Sequence, residues 1–381
     1  MSEKTFEVEL LTKDLIHALN FTSSIIEKRH IKPVLGNVKL ESGYNNLIIT
    51  GTSADLSIKI SLSSMVKVAG ATTVGVTTFS EIVRKLNDEK IIVSCEKGKD
   101  QLSISANSFS SELSTISAEE FPALDNKLKT KGSFNVPAKK FLRLLLNTEF
   151  AMSTEETRYN LNGIYLNYQG DGKLNATAID GHRLSTVSEN ISNLEEFGVI
   201  LPKKTVYELI KLLKDSQYAE LDLNVEYDSH KIFFKIGKVE VISKLIDATF
   251  PDYKSLIPKN YKNKLSIQCK KLAEAVDRVS TITHDKFRAV KVFISKEKVE
   301  ISAFGETKGT ANEKIVNNEE EYFNYEGDDI EVGFNPRYIL EILKNLDNED
   351  IDVMLNASLD PIVIKPQSND EDRYIIMPMK V

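Results

Sequence analysis

Along residues 199–215 the chain reads Val-Ile-Leu-Pro-Lys-Lys-Thr-Val-Tyr-Glu-Leu-Ile-Lys-Leu-Leu-Lys-Asp. A short apolar run gives way after Pro202 to apolar residues at helical spacing, Val206, Leu209, Ile210 and Leu213. This predicts a strand running into an amphipathic helix, with the proline at a boundary where its missing N–H costs little. Lys204 and Lys211 fall seven residues apart on another face of that helix, so one side is built for burial and the other is basic.

The pattern occurs three times. Residues 73–86 and 330–344 carry the same strand, turn and helix, and aligning Val74, Ile200 and Val332 gives spacings of 126 and 132 residues in a chain of 381. Earlier in each third, short alternating strands at 6–8, 134–136 and 265–267 precede helical patterns at 13–19, 139–146 and 271–279. Period-two strand pairs follow at 47–49 and 56–62, at 164–168 and 174–178, and at 290–294 and 299–303, with Gly170-Asp171-Gly172 as a hairpin turn. Glu120-Phe121-Pro122, Thr249-Phe250-Pro251 and Ile376-Met377-Pro378 are read as landmarks closing the three repeats. An internal three-fold repeat follows. It predicts an α+β fold of three similar domains, 1–127, 128–258 and 259–381, with helices covering one face of mostly antiparallel sheets. Linkers are expected near 125–131 and 258–263. The acidic stretch 306–331 is expected to be a solvated loop with one strand inside it.

Composition narrows the function. Apolar residues make up 41% and charged residues 28%, as in ordinary globular proteins. The two cysteines, Cys95 and Cys269, fall in different repeats, which suits buried thiols in a reducing compartment and not a disulfide framework. The N-terminus lacks the pattern of a signal peptide and no apolar run is long enough to span a membrane, so a cytoplasmic protein with no membrane partner is expected. The net charge of −7 argues against a uniformly nucleic-acid-coated surface but leaves room for a local basic lining.

Catalytic and metal chemistry find little support. Asp180, Gly181, His182 and Arg183 crowd one turn, where Asp180 could orient His182 as a general base. No Gly-x-Ser-x-Gly nucleophile accompanies them, and the preferred reading is that Asp180 caps a turn Gly181 permits. The five histidines, at 17, 30, 182, 230 and 284, form no i, i+4 pair, and phosphate-cradling glycine loops are absent. No metal, no cofactor and no enzyme activity are expected. Basic residues recur on the helices instead: Lys140 and Arg143 with Asn147, Lys204 with Lys211, and Arg337 with Lys344. Any one set could simply solvate its helix, but recurrence in register points to a shared surface touching phosphates without reading bases.

Several motifs together resemble the bacterial DNA polymerase III β subunits, the sliding-clamp family. They are Ile-Asp-Gly-His-Arg-Leu at 179–184, Phe-Pro-Asp-Tyr-Lys at 250–254, Leu-Ile-Pro-Lys-Asn at 256–260, Lys286-Phe287-Arg288 and Met377-Pro378-Met379. Arg-Tyr-Asn-Leu-Asn-Gly at 158–163 and Pro-Val-Leu-Gly-Asn at 33–37 add to them, and the likeness spans the whole chain. The resemblance implies a head-to-tail homodimeric ring, with helices lining a central hole and antiparallel sheets outside. Such a ring encircles duplex DNA, irrespective of sequence, and tethers the polymerase without doing chemistry. Implied partners are the DNA polymerase III catalytic subunit, an ATP-dependent clamp loader, and other polymerases and repair proteins bearing short linear peptides.

By the same resemblance the peptide-binding pocket falls on Leu161, Ile179, Gly181, His182, Arg183, Leu184, Pro251, Leu256, Leu359, Pro361, Ile375, Met377, Pro378 and Met379. DNA contacts fall on Arg29, Tyr159, Asn160, Lys203, Lys204 and Lys259, and the protomer interface on Leu113 on one side and Thr281 with Ile282 on the other. Thr77 and Thr78 stand where the family has basic residues, so the first repeat is expected to contribute least to DNA contact. Ile179, Asn160 and Ser255 replace a threonine, a tyrosine and a basic residue, which points to altered peptide preference at a retained site.

Overall fold

The computed structural model describes residues 3–27, 32–122, 128–192, 194–283, 289–305, 308–318, 323–346 and 349–380. Arg29, the Lys286-Phe287-Arg288 motif and residues 125–127 of the first expected linker lie outside the described residues. The first third runs β1 (Lys4–Leu11), α1 (Thr12–Thr22), β2 (Asn37–Ser42), β3 (Asn46–Thr52), β4 (Leu56–Ser63), β5 (Met65–Val68), β6 (Ala71–Gly75), α2 (Val76–Lys85), β7 (Lys90–Glu96), β8 (Gln101–Ala106) and β9 (Phe109–Ile116). The second runs β10 (Gly132–Pro137), α3 (Ala138–Leu146), β11 (Gly163–Tyr168), β12 (Lys173–Ile179), β13 (Arg183–Asn190), β14 (Phe197–Pro202), α4 (Lys203–Leu213), β15 (Asp222–Tyr227), β16 (Lys231–Ile236) and β17 (Val239–Lys244). The third runs β18 (Asn263–Gln268), α5 (Cys269–Ser280), β19 (Val290–Ile294), β20 (Lys298–Gly305), β21 (Gly309–Val316), β22 (Asn324–Glu326), β23 (Ile330–Phe334), α6 (Pro336–Asn345), β24 (Asp350–Leu355), β25 (Ile362–Pro366) and β26 (Arg373–Ile376).

The strand, helix, strands pattern appears twice in each third, and the strand pairings of the described residues are antiparallel. The apolar residues predicted for α4 are buried, together with Thr205 and Leu212, and each such side chain contributes about 1.5–3 kcal/mol of transfer free energy. Pro202 ends β14 opposite Gly163, and the helix begins one residue later.

The three repeats gather into two compact units. One comprises residues 1–142 and 204–245, the other 143–203 and 246–381. The thirds share sheets, which is the physical reason. In the first unit β4 of the first third pairs with β17 of the second, from Ile60 opposite Val239 to Leu56 opposite Ser243, inside a 13-stranded sheet. In the second, β13 pairs with β26, from Arg183 opposite Ile376 to Thr186 opposite Arg373, inside a nine-stranded sheet. Backbone hydrogen bonding across these junctions is as regular as within a third.

Two expectations fail. The acidic stretch 306–331 holds two strands, β21 and β22, and the start of β23. Charged residues on and between these strands, Glu313, Lys314, Glu326, Asp328 and Asp329 among them, hid the period-two pattern. The closing landmarks are also not all equivalent. Ile246 donates its N–H to Ile200 O at the end of the second third, and Met379 donates to Gly333 O at the end of the last. Phe250-Pro251 therefore follows its anchoring residue, whereas Met377-Pro378 precedes its own, and the agreement in spacing was coincidental.

Candidate functional site

Four strands of the second unit place one apolar row across the β13–β26 seam. Ile179 lies opposite Leu184, Leu184 opposite Ile375, and Ile375 opposite Val363. Because side chains alternate along strands, paired residues share a face. These four belong to a buried cluster with Leu161, Ile200, Phe250, Tyr253 and Met354. Tyr165 packs against the cluster by stacking on Phe250, ring centroids 4.8 Å apart and 7° from parallel. Four residues the resemblance assigns to a pocket, Leu161, Ile179, Leu184 and Ile375, are thus a floor.

The rim is apolar and exposed. Leu256, Leu359 and Met377 are 52%, 64% and 44% accessible. Leu359 lies on the loop between β24, which carries Met354, and β25, which carries Val363. Pro361 precedes β25 on the same loop and is half-buried, while Pro251 is exposed. Met377 donates its backbone N–H to His182 O at 2.8 Å, and Pro378 and Met379 follow, half-buried. Exposed leucine and methionine beside a buried apolar floor form an adaptable surface for an apolar segment.

The turn between β12 and β13 is locked from beneath. Gly181 has φ of +90°, a left-handed conformation that favours glycine. Asp180 Oδ1 accepts the N–H groups of His182 at 2.8 Å and Arg183 at 2.9 Å, and Oδ2 accepts Arg183 Nε at 2.9 Å. Asp180 is thus the cap of this turn and does not orient the His182 ring. That ring is stacked instead on Tyr338, 6.0 Å away.

Arg183 departs from the expectation that it faces a ligand. It is only 8% accessible. Its guanidinium also bonds Glu341 and the Phe150 carbonyl, and sits 5.2 Å from the Phe150 ring centroid and 4.5 Å from that of Tyr338. The planar fork and flat faces of arginine suit this sandwich. Burial pushes the Glu341 carboxyl up, but hydrogen bonds from Arg183 and Arg337 hold it below its ordinary value. The sequence flagged Arg183 but not Phe150, Tyr338 or Glu341, whose distance along the chain conceals their convergence.

The basic candidates divide. Tyr159 and Lys259 are exposed, Asn160 donates from Nδ2 to Thr249 O at 3.3 Å, and Lys203 and Lys204 open α4. Lys204 lies 3.3 Å from Glu27, and Lys211 donates to Asn20 O at 2.6 Å. Arg143 is not on a phosphate-facing surface as expected. It bonds Glu189, Asp372 and Ser188 O, each at 2.6 Å, and Asn147 is buried. The helical period placed Arg143 correctly, but the buried carboxylate of Asp372, just before β26, captures it.

Two strand edges stand apart. By order within the repeat β4, β13 and β21 are equivalent, as are β9, β17 and β26. β4 is paired by β17 and β13 by β26, which leaves β21 and β9. Among the described residues β21 pairs only with β20, and β9 pairs with β8 and meets β6 only at Thr115 and Ile116. Leu113 lies on β9. Thr281 and Ile282 follow α5, with the Ile282 carbonyl so close to Gly305 that an added Cβ would sit 2.2 Å from it. That places Ile282 beside the turn leading into β21. A bare edge strand offers a row of unpaired backbone groups.

Known proteins show the same organisation. Three profiles of DNA polymerase III beta subunit domains match this chain: N-terminal at residues 6–125, central at 135–252 and C-terminal at 254–380. A beta sliding clamp of Rickettsia bellii is 38% identical over 375 residues, covering 97% of this chain and 98% of that one. The beta sliding clamp of Escherichia coli K12 is 32% identical, covering 96% and 98%. Among solved structures, a sliding clamp (DNA polymerase III subunit beta) of Bartonella birtlesii bound to griselimycin is similar with a TM-score of 0.91 and 33% identity, covering 99% of this chain and all of the other. The beta subunit of Thermotoga maritima is similar with a TM-score of 0.89 and 26% identity, at the same coverage.

Proposed function

The chain belongs to the DNA polymerase III beta subunit family and is a non-catalytic DNA sliding clamp, and from that premise we propose how its residues divide the task. Domains 1–127, 128–258 and 259–381 are the three clamp repeats, supported by the positions of the matching family profiles. Two copies join head to tail, β21 of each against β9 of the other, so that the two unpaired edges satisfy one another and a heterologous contact closes into a ring around duplex DNA. The observation that carries this reading is the pairing of β4 with β17 and β13 with β26, which leaves one such junction unmade within the chain.

The internal junctions also give the register. Phe109 holds the place of Val239, each directly after a two-residue hairpin turn. Gly309 holds the place of Ile58, because Gly51 and Gly305, their hairpin partners, are both approached by the carbonyl that ends the first helical segment. Val239 pairs two residues beyond Ile58, at Ile60, so Phe109 of a second copy lies opposite Ala311. This brings Leu113 toward the Ile282 end of the seam.

The apolar floor and rim around Leu184, Ile375, Leu256, Leu359 and Met377 take short linear peptides with leucine and aromatic anchors. Their sources are the polymerase catalytic subunit, the clamp loader and repair proteins. Burying two such anchors contributes about 3–6 kcal/mol before ordering penalties, which suits partners that exchange. Tyr159, Asn160, Lys203, Lys204 and Lys259, with Arg29, contact DNA phosphates without reading sequence, and the first repeat contributes least because Thr77 and Thr78 carry no charge. The protein works in the cytoplasm; no helix among the described residues is long and apolar enough to cross a membrane. The test is topological: clamp loaded onto closed circular DNA is retained and is lost when the circle is linearised. Equal retention on circular and linear DNA would refute encirclement.

A further inference from the structure

The segment from Tyr253 to Asn263 carries parts of both proposed sites. Tyr253 belongs to the buried apolar floor, and Ile257 and Tyr261 pack against it. Leu256 stands on the rim, and Lys259, a little further along, is exposed and makes no ion pair among the described residues. Little holds the stretch around that lysine. Among the described residues Pro258, Lys259, Asn260 and Tyr261 make no backbone–backbone hydrogen bond. The Tyr261 hydroxyl donates to Pro258 O at 2.7 Å, which folds the stretch upon itself without fastening it to anything else.

The fastening comes from one side chain. Asn356 follows β24 and opens the loop that carries Leu359 to the rim. Its Nδ2 donates to Asn260 O at 3.0 Å, its Oδ1 accepts the Lys262 N–H at 3.0 Å, and its backbone carbonyl accepts Asn263 Nδ2 at 3.1 Å. Both ends of the amide are therefore spent on the segment bearing Lys259. Its own loop is closed as a turn by Asp360, whose Oδ2 accepts the Ala357 N–H at 3.2 Å and whose N–H donates to Ala357 O at 3.0 Å. Leu256, Lys259 and Leu359 are thus borne by two loops with a shared fastening.

We propose that Asn356 couples DNA contact at Lys259 to peptide binding at Leu256 and Leu359, so that a clamp on DNA takes peptides more tightly than a free one. This coupling rests on the assignment, proposed above, of Lys259 to phosphates and of the apolar rim to peptides. One ligand alters the affinity for another only by acting on something whose state both depend on. Here that is the pair of loops. A phosphate on Lys259 restrains a stretch whose backbone is otherwise unbonded, and Asn356 passes the restraint to the turn bearing Leu359. A peptide arriving afterwards meets a rim already ordered, and less conformational entropy is lost on binding. Asn356 acts through its neighbours and is a positioning residue.

The test is fluorescence anisotropy of a labelled peptide with leucine and phenylalanine anchors. It is titrated with the full-length clamp free in solution, and with clamp loaded on closed circular DNA and freed of the loader. The parent is expected to bind at least about fivefold more tightly on the circle. Asn356→Ala, checked for folding by circular dichroism, is expected to bring that ratio below about twofold, and Lys259→Ala to do the same from the DNA side. A purely structural role for Asn356 would weaken peptide binding equally in both states and leave the ratio alone. Equal or weaker binding by the loaded parent, or a parental ratio in Asn356→Ala, overturns the proposal. Should Asn356→Ala fail to fold, a parental ratio in Lys259→Ala overturns it instead. Clamp that is not retained on the circle, or that binds no peptide in solution, overturns the reading beneath.

Discussion

Arg183 is the residue whose removal most directly tests how the turn of the proposed peptide site is supported. Replacing it with methionine keeps much of the length and the contact with the two rings but removes the charge and the fork. Asp180 retains two backbone N–H donors and Glu341 retains Arg337, so neither carboxylate is orphaned. The penalty should fall at or below the lower end of the roughly 3–5 kcal/mol seen when a buried pair is broken. The Phe150 and Tyr338 faces add about 1 kcal/mol of cation–π attraction, partly replaced by thioether–ring contact. A total of about 3 kcal/mol follows. Urea unfolding followed by tyrosine fluorescence is practical, since the chain has 13 tyrosines and no tryptophan. At an m-value of about 2 kcal/mol/M the transition of the affected unit moves down by about 1.5 M. Arg183→Lys keeps the charge but not the fork and falls between the two. Peptide affinity should drop as well, because the turn bearing Gly181 and His182 loses its anchor although Arg183 itself is buried. A midpoint within about 0.3 M of the parent for Arg183→Met, with unchanged peptide binding, would refute the account.

Two further outcomes probe the same region. Leu184→Ala combined with Met377→Ala removes floor and rim together and is expected to weaken binding of a polymerase-derived peptide by at least about 100-fold, from roughly 3 kcal/mol of lost burial, while leaving the dimer intact; calorimetric titration that finds parental affinity would reject the pocket. Glu341 is held below its ordinary carboxyl value in the fold, so its contribution is fully present above the unfolded-state value of about 4.3 and is lost as pH falls through the lower folded value. The stability difference between parent and Glu341→Gln should therefore shrink steadily between pH 6 and pH 3, and a difference that stays constant or grows would contradict the assignment.

The period of the chain was legible because it is carried by local patterns. Leu209 and Leu213 on α4, or Phe6 and Val8 on β1, report their faces through spacing alone. The turn at Asp180 was legible for the same reason: asparate and glycine at those positions have a local use. What stayed hidden depends on pairs far apart in sequence. Nothing near Arg143 reveals that Asp372, more than 200 residues away, turns a helical cation inward, and nothing near Arg183 announces Tyr338 or Glu341. The exposed positions Leu256, Leu359 and Met377 were found through family likeness, since no periodicity distinguishes a rim leucine from a core leucine on a short loop. The false equivalence of Phe250-Pro251 with Met377-Pro378 has a related cause, because two short apolar-proline motifs matched in spacing while hydrogen bonding placed them on opposite sides of their anchors.

The two junctions made within the chain differ in chemistry from the one left for a second copy. Where β17 meets β4, Glu240 faces Lys59 across the ladder, and where β13 meets β26 the seam is backed by Arg143 and its two carboxylates. On the proposed closing seam, Phe109 faces Ala311, Ser110 faces Thr310 and Glu112 faces Lys308, so the strand contact adds one opposite-charge pair to its backbone bonds and a modest apolar area. The backbone bonds of the seam respond weakly to salt, whereas a pair between the exposed Glu112 and Lys308 is screened by it. A ring that must be opened to pass over DNA and then stay closed is served by that division, with the β13–β26 junction backed by Arg143 and the buried Asp372 and the closing junction holding its charges on exposed strand positions, where they can be separated without stranding an ion in the core.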